Sequence, residues 1–220
     1  INIVGNNVTN ESVIRGELIV DEGEPFSALL INKSINRLKA RNIFADVRHK
    51  VLPGTTSENN IIEIEVEEKA TGEVSAGAGV GTEGTSFGFF VSENNWLGKG
   101  MKLKGSLDVS EESLRGGLNV VNPNYNYTGN EVSASFNSVK TDRLTSSGFE
   151  SSKNSFSLGT KFEQYKGVFL SPKISASYED ISTDTTASTA MKKMDGTYGS
   201  FDFGYGIIFD KRNQPFMPTE

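Results

Sequence analysis

From residue 71 onward, apolar side chains fall on every second position. One parity carries Val74, Ala76, Ala78 and Val80, then Phe87, Phe89 and Val91, then Met101, Leu103, Leu107 and Val109. The series continues through Leu114, Leu118, Val120; Val132, Ala134, Phe136; Phe156, Leu158, Phe162; Val168, Leu170, Ile174, Ala176, Tyr178; and Phe201, Phe203, Tyr205, Ile207, Phe209. A period of two over short runs, with polar residues or glycine on the other parity, predicts eight antiparallel strands over residues 71–220. Helical periodicity is absent from this half.

Residues 1–70 have a different character. INIVGNN predicts a short strand and turn, and Asn10 is placed to cap a helix over residues 11–16. After the EGEP turn, Leu30, Ile31, Ile35 and Leu38 share one face of a helix over residues 27–40, with Ser27 as its cap. IFADVRHKVLPG predicts a strand ending at Pro-Gly, and NIIEIEVEEK alternates Ile62, Ile64 and Val66 with Glu63, Glu65 and Glu67. The order β-α-α-β-β defines a small α+β module ahead of the strand-only half.

A half-apolar strand series fits a soluble sandwich with its apolar face inward or a membrane barrel with that face outward. The connections favour the barrel. NNWLGKG, NPNYNYTGN, EQYKG and DKRNQPFMPTE are compact and carry aromatics or proline, whereas TEG, SEE, TDRLTSSGFESSK and DISTDTTASTAMKKMDG are polar and of variable length. Short turns at one end, longer polar loops at the other, and Trp96, Tyr125, Tyr127 and Tyr165 near strand ends match a barrel with an interfacial aromatic belt. Lys102, Lys104, Asp108, Arg115 and Lys173 all fall on the polar, lumen-facing parity. A slip of one residue would turn them to lipid, at roughly 2–4 kcal/mol for each Lys or Arg near the midplane.

Candidate chemistry is sparse. There is no cysteine and a single histidine, His49, expected as an exposed residue of an edge strand; thiolate sites, disulfides and histidine catalysis have nothing to build on. The formal net charge of −6 argues against nucleic acid as a partner. No run of about 18 apolar residues exists for a membrane helix, and no signal peptide opens the chain. Gly79, Gly81 and Gly84 satisfy G-x-G-x-x-G, but the following SFGFFVSENN alternates as a strand, so a hairpin turn is expected there instead of a nucleotide site. Glu63, Glu65 and Glu67, followed by Glu68, read as the solvent side of a strand. Asp180, Asp184 and Asp195 lie in or beside a polar loop without calcium-hand spacing. No enzyme, cofactor or metal site is expected.

The ordered motifs are similar to those of the BamA family of bacterial outer-membrane protein assembly factors. INIVGNNVTNESVIRGELIVDEGEP, SINRLKARNIFADVRHKVLPG and IEIEVEEKATG resemble that family's last POTRA domain. The glycine-rich TGEVSAGAGVG resembles its first barrel strand, and ENNWLGKG, NPNYNYTGN and KRNQPFMPTE its first, second and fourth periplasmic turns. Two departures stand out: Gly16 replaces one of two adjacent basic residues, and RNIF lacks a glycine before its phenylalanine. The resemblance implies a fragment: further POTRA domains before residue 1 and eight more strands after residue 220. It also implies an outer-membrane location with the POTRA domain in the periplasm. The implied partners are unfolded outer-membrane protein clients, accessory periplasmic lipoproteins and outer-membrane lipid. Gly72, Glu73, Val74, Ser75, Ala76, Gly77, Ala78, Gly79, Val80 and Gly81 would form a lateral-gate strand that templates incoming strands, and Glu22 would contact a lipoprotein. The alternatives are a related POTRA-barrel translocation pore of the TamA or two-partner secretion type, a passive porin, or a soluble carbohydrate-binding β protein.

Overall fold

The computed structural model describes residues 1–56, 59–81 and 84–212. The first unit contains β1 (Asn2–Val4), α1 (Glu11–Arg15), α2 (Ala28–Ala40), β2 (Phe44–Pro53) and β3 (Asn60–Glu68). Its sheet has the order β1-β3-β2, with β1 parallel and β2 antiparallel to the central β3. Ile14, Ile31, Leu38, Ile43, Val47 and Ile64 are its most deeply buried apolar side chains, so both helices close over one sheet face. Glu63, Glu65 and Glu67 line the other face, where Lys50 lies 3.1 Å from Glu65 and Arg48 lies 3.8 Å from Glu67.

Local chemistry explains the helix limits. Ser27 accepts the Leu30 N–H at 3.4 Å and caps α2. Asn10 does not cap α1 through its side chain; its backbone N–H instead donates to the Gly98 carbonyl at 2.8 Å, which ties the helix entry to another part of the chain. The helix ends at Arg15, one residue earlier than expected. Ser34, buried on α2, accepts the Ile19 N–H and donates to the Leu30 carbonyl, both at 2.9 Å. A buried hydroxyl with two partners is not a defect, and this one fixes the segment after α1 against α2. His49 is half-buried rather than exposed, because it shares the parity of buried Val47 and Val66 lies across the ladder from Val47.

The second unit is one eight-stranded antiparallel meander. Its strands are β4 (Gly72–Gly81), β5 (Gly84–Trp96), β6 (Met101–Ser110), β7 (Ser113–Tyr125), β8 (Asn130–Arg143), β9 (Phe149–Tyr165), β10 (Val168–Thr183) and β11 (Gly196–Phe209). Sequential neighbours pair throughout, and β4 and β11 are the edges of an unclosed sheet. Val74, Phe87, Phe89, Leu107, Leu118, Phe136, Phe156 and Phe203 are exposed on the apolar parity. Charge sits on the other parity, where Lys153 and Glu179 are cross-strand partners 3.2 Å apart.

Two single turns of helix, α3 (Leu144–Ser147) and α4 (Thr189–Lys192), interrupt the expected all-strand pattern. Strands also run further than expected, through Arg143 and Thr183 into segments read as loops. Arg143 reaches Glu112 at 2.8 Å, and the Asp184 N–H donates to the Gly148 carbonyl at 2.8 Å, so these loops support one another. A four-residue helix held by such contacts carries no periodicity for a sequence to display.

Leu38 is fully buried between helix and sheet. Leu38→Ala should destabilise the first unit by about 2–5 kcal/mol, measured by denaturant unfolding of that unit, without altering strand content in the second.

Candidate functional site

Residues 72–81 form β4, an edge strand paired only with β5 among the described residues, and every one of its side chains is exposed. On the apolar parity Val74 faces Val91, Ala76 faces Phe89 and Ala78 faces Phe87. On the other parity Gly77 faces Gly88, leaving a bare step in the ladder. A Cβ added at Gly77 or Gly81 would meet nothing within 4 Å, so crowding does not require glycine there. The strand is held chiefly by its backbone. The G-x-G-x-x-G match lies at a strand-to-strand connection with no helix after it, which removes the geometry that phosphate binding needs.

A polar assembly lies where the first unit meets two turns of the sheet. The turn at 97–100 is bounded by Asn95, whose Oδ1 accepts the Gly100 N–H and whose Nδ2 donates to the Thr9 hydroxyl, both at 2.8 Å. The turn at 126–129 repeats this design. Asn124 Oδ1 accepts the Gly129 N–H at 2.8 Å, while its Nδ2 donates to the Gly16 carbonyl at 3.0 Å and to Glu17 at 3.1 Å. Each asparagine thus closes its own turn and binds the neighbouring unit.

Charge runs along the same seam. Glu17, 6 % exposed, lies 3.4 Å from both Arg37 and Arg41, and Arg41 also donates to the Gly100 carbonyl at 2.6 Å. Burial lowers the Arg41 pKa, partly countered by Glu17, yet a guanidinium stays charged at any physiological pH. Thr9 is 2 % exposed and its N–H donates to Glu68 at 2.6 Å; the N–H groups of Asn7 and Val8 reach the same carboxylate at 2.9 Å. Desolvation pushes the Glu68 pKa up, but the Thr9 hydroxyl and these backbone donors outweigh it and hold the carboxyl below its ordinary 4.5.

Two glycines mark the closest approach. A Cβ at Gly98 would stand 2.1 Å from the Val8 carbonyl oxygen, and one at Gly16 would stand 2.3 Å from Cδ1 of Tyr127. Gly16 has ordinary right-handed backbone, so it is the Tyr127 ring that requires its missing side chain. Leu97, Asn126 and Tyr127 have φ of 55°, 55° and 58°, a left-handed conformation that costs a bulky residue about 1–2 kcal/mol. The third short turn, at 166–167, closes on Glu163 and does not reach the first unit.

The remaining candidates are separate from this seam. Glu22 is exposed and lies 3.0 Å from Arg15. Asp195 accepts from the Thr183 hydroxyl and N–H, Asp184 from Thr186 and Ala187, and Asp180 from Thr197; no metal-binding cluster occurs among the described residues. Thr82 and Glu83 of TEG, and most of KRNQPFMPTE, lie outside the described residues. Sequence reasoning recognised both seam turns but not their joint role. The usable signal was a repeated Asn-x-x-x-x-Gly, at 95–100 and again at 124–129.

A three-stranded module docked on the turn end of an antiparallel, outwardly apolar sheet defines a membrane β-barrel with a POTRA appendage. The Omp85 superfamily domain matches residues 95–220, and the POTRA surface antigen variable number repeat matches residues 1–69. The chain belongs to the Omp85 superfamily, and its strands reside in the bacterial outer membrane with the POTRA unit on the periplasmic side. It is 30 % identical over 138 residues to outer membrane protein assembly factor BamA of Buchnera aphidicola, covering 60 % of this chain and 22 % of that protein. The corresponding factor of Neisseria meningitidis serogroup B is 27 % identical over 131 residues, 59 % of this chain and 16 % of that protein. The structure of BamA from Haemophilus ducreyi lacking POTRA domains 1–3 superposes with a TM-score of 0.75 at 19 % identity, covering 99 % of this chain and 45 % of that one. The chain therefore spans less than half the length of these relatives.

Asn95→Ala should remove the donor to the Thr9 hydroxyl, leave the Gly100 N–H without its acceptor, and cost about 1–3 kcal/mol at the junction. Hydrogen exchange should accelerate at Gly100 while the β9–β10 amides remain protected. The Glu68 contribution is complete above about pH 4.5 and declines as pH falls through its lower folded value. Exchange at Val8 and Thr9 should rise over that acidic range, and Glu68→Gln should abolish the extra pH dependence.

Proposed function

We propose that the protein assembles and inserts β-barrel proteins into the bacterial outer membrane, without enzymatic chemistry. The observation that carries this reading is β4, the first strand of the sheet, with small side chains and a bare Gly77–Gly88 step against β5. An incoming strand adding to such an edge gains main-chain hydrogen bonds while its own side chains meet few demands. That indifference suits a machine with many clients. Residues 72–81 are assigned as the movable side of a lateral gate, and the POTRA unit as the module that passes unfolded clients toward it. The relatives named as assembly factors support the same function.

Glu22 is assigned to an accessory periplasmic lipoprotein. Its carboxylate is exposed at the surface of the POTRA unit, where Arg15 lies 3.0 Å from it.

Depletion of the full-length protein in its source bacterium should lower outer-membrane barrel proteins several-fold; unaltered levels would sink the assembly function. Gly77→Val offers a finer test, because no described residue lies within 4 Å of a Cβ there, and heat-modifiable gel mobility verifies that the variant is folded. Assembly of client barrels should nevertheless slow. Full activity in a normally folded Gly77→Val protein would remove β4 from the mechanism.

A further inference from the structure

A cavity of about 300 Å³ lies between α1 and the two seam turns, with Asn10, Ser12, Lys99, Met101, Asn122 and Tyr127 among its walls. Its floor fixes the direction in which it opens. Lys102 pairs with Val121, which sets Met101 beside Asn122, and both continue the apolar parity of Leu103 and Val120 that faces lipid. The cavity therefore opens on the bilayer side of the barrel wall, at the periplasmic boundary where exposed Trp96, Leu97 and Tyr125 also lie. Its polar groups can present donors. Lys99 makes no ion pair among the described residues, the Asn10 side chain caps nothing, and Asn122 uses its oxygen for the Asn124 N–H, which leaves its amide nitrogen free to donate. The adjacent carboxylates are engaged elsewhere, Glu11 by Arg15 at 2.6 Å and Glu17 by Arg37 and Arg41.

The geometry points to a binding site for the phosphodiester headgroup of an inner-leaflet phospholipid. Lys99 supplies the cation, Asn10, Ser12 and Asn122 supply neutral donors, and Met101 meets the glycerol end of the acyl chains. A lysine at a barrel rim keeps its ammonium at headgroup level while its stem lies along apolar surface. A lipid seated there touches the POTRA unit and the barrel at once, and so becomes part of the junction. The inference rests on barrel orientation and not on the assembly function, which could fail without affecting it.

The test uses full-length protein in nanodiscs containing phosphatidylglycerol and phosphatidylcholine, with retained lipid counted by native mass spectrometry. Lys99→Gln should reduce retention of the most tightly held phosphatidylglycerol about fivefold, Lys99→Arg should restore it, and lumen-facing Lys102→Gln should leave it unchanged. Heat-modifiable gel mobility verifies that each variant is folded. Equal retention by wild type and Lys99→Gln would overturn the site. Protection of Lys99 from an amine-reactive reagent distinguishes the source of the phosphate: phosphatidylglycerol vesicles should protect it and millimolar inorganic phosphate should not. Equal protection by inorganic phosphate would overturn the lipid assignment.

Discussion

The buried polar seam between the POTRA unit and the first two periplasmic turns is the constraint on which the remaining arrangement depends. Thr9, Asn95, Gly100, Arg41, Glu17 and Asn124 form a nearly continuous chain of hydrogen bonds and ion pairs, and Glu68 secures its outer end. Such a seam is specific because every buried donor must find its acceptor: a small rotation of the module would leave a charge or an amide without one. An apolar contact of equal area would tolerate sliding. Here the orientation of the soluble module is written into the barrel's turns.

The two asparagines explain how a soluble unit and a membrane sheet share one contact. Each uses its oxygen to close a turn and its nitrogen to hold the POTRA unit, so turn geometry and docking geometry cannot vary separately. Gly98 and Gly16 then permit the approach, one against the Val8 carbonyl and the other against the Tyr127 ring. The departure at Gly16 thereby acquires a local cause, since an arginine or lysine there would need the volume that Tyr127 occupies.

Much of this was legible from periodicity. The dyad alternation of Phe87, Phe89 and Val91, or of Phe201, Phe203 and Tyr205, directly reflects a sheet with one lipid face, and Ile31, Ile35 and Leu38 mark the buried stripe of α2 with similar clarity. What periodicity could not convey was anything made by contacts distant in sequence. Asn10 has the chemistry of a cap, but its side chain caps nothing and its N–H binds the distant Gly98 carbonyl, and the helices at 144–147 and 189–192 are single turns stabilised by neighbouring loops. The seam was illegible for the same reason. Asn95 and Asn124 are ordinary turn residues until the fold brings Thr9 and Glu17 to them.

The seam also bears on the order in which the chain acquires structure. The POTRA unit is small and dominated by contacts within its own 70 residues or so, which are the properties of a unit that folds early. The β5–β6 and β7–β8 turns carry a leucine and a tyrosine in left-handed backbone and are poor at closing alone. A module already folded presents Thr9, the Gly16 carbonyl and Glu17 as fixed partners for those turns, which lowers the entropy of closing each hairpin. The periplasmic module is then a template for the two turns that close against it.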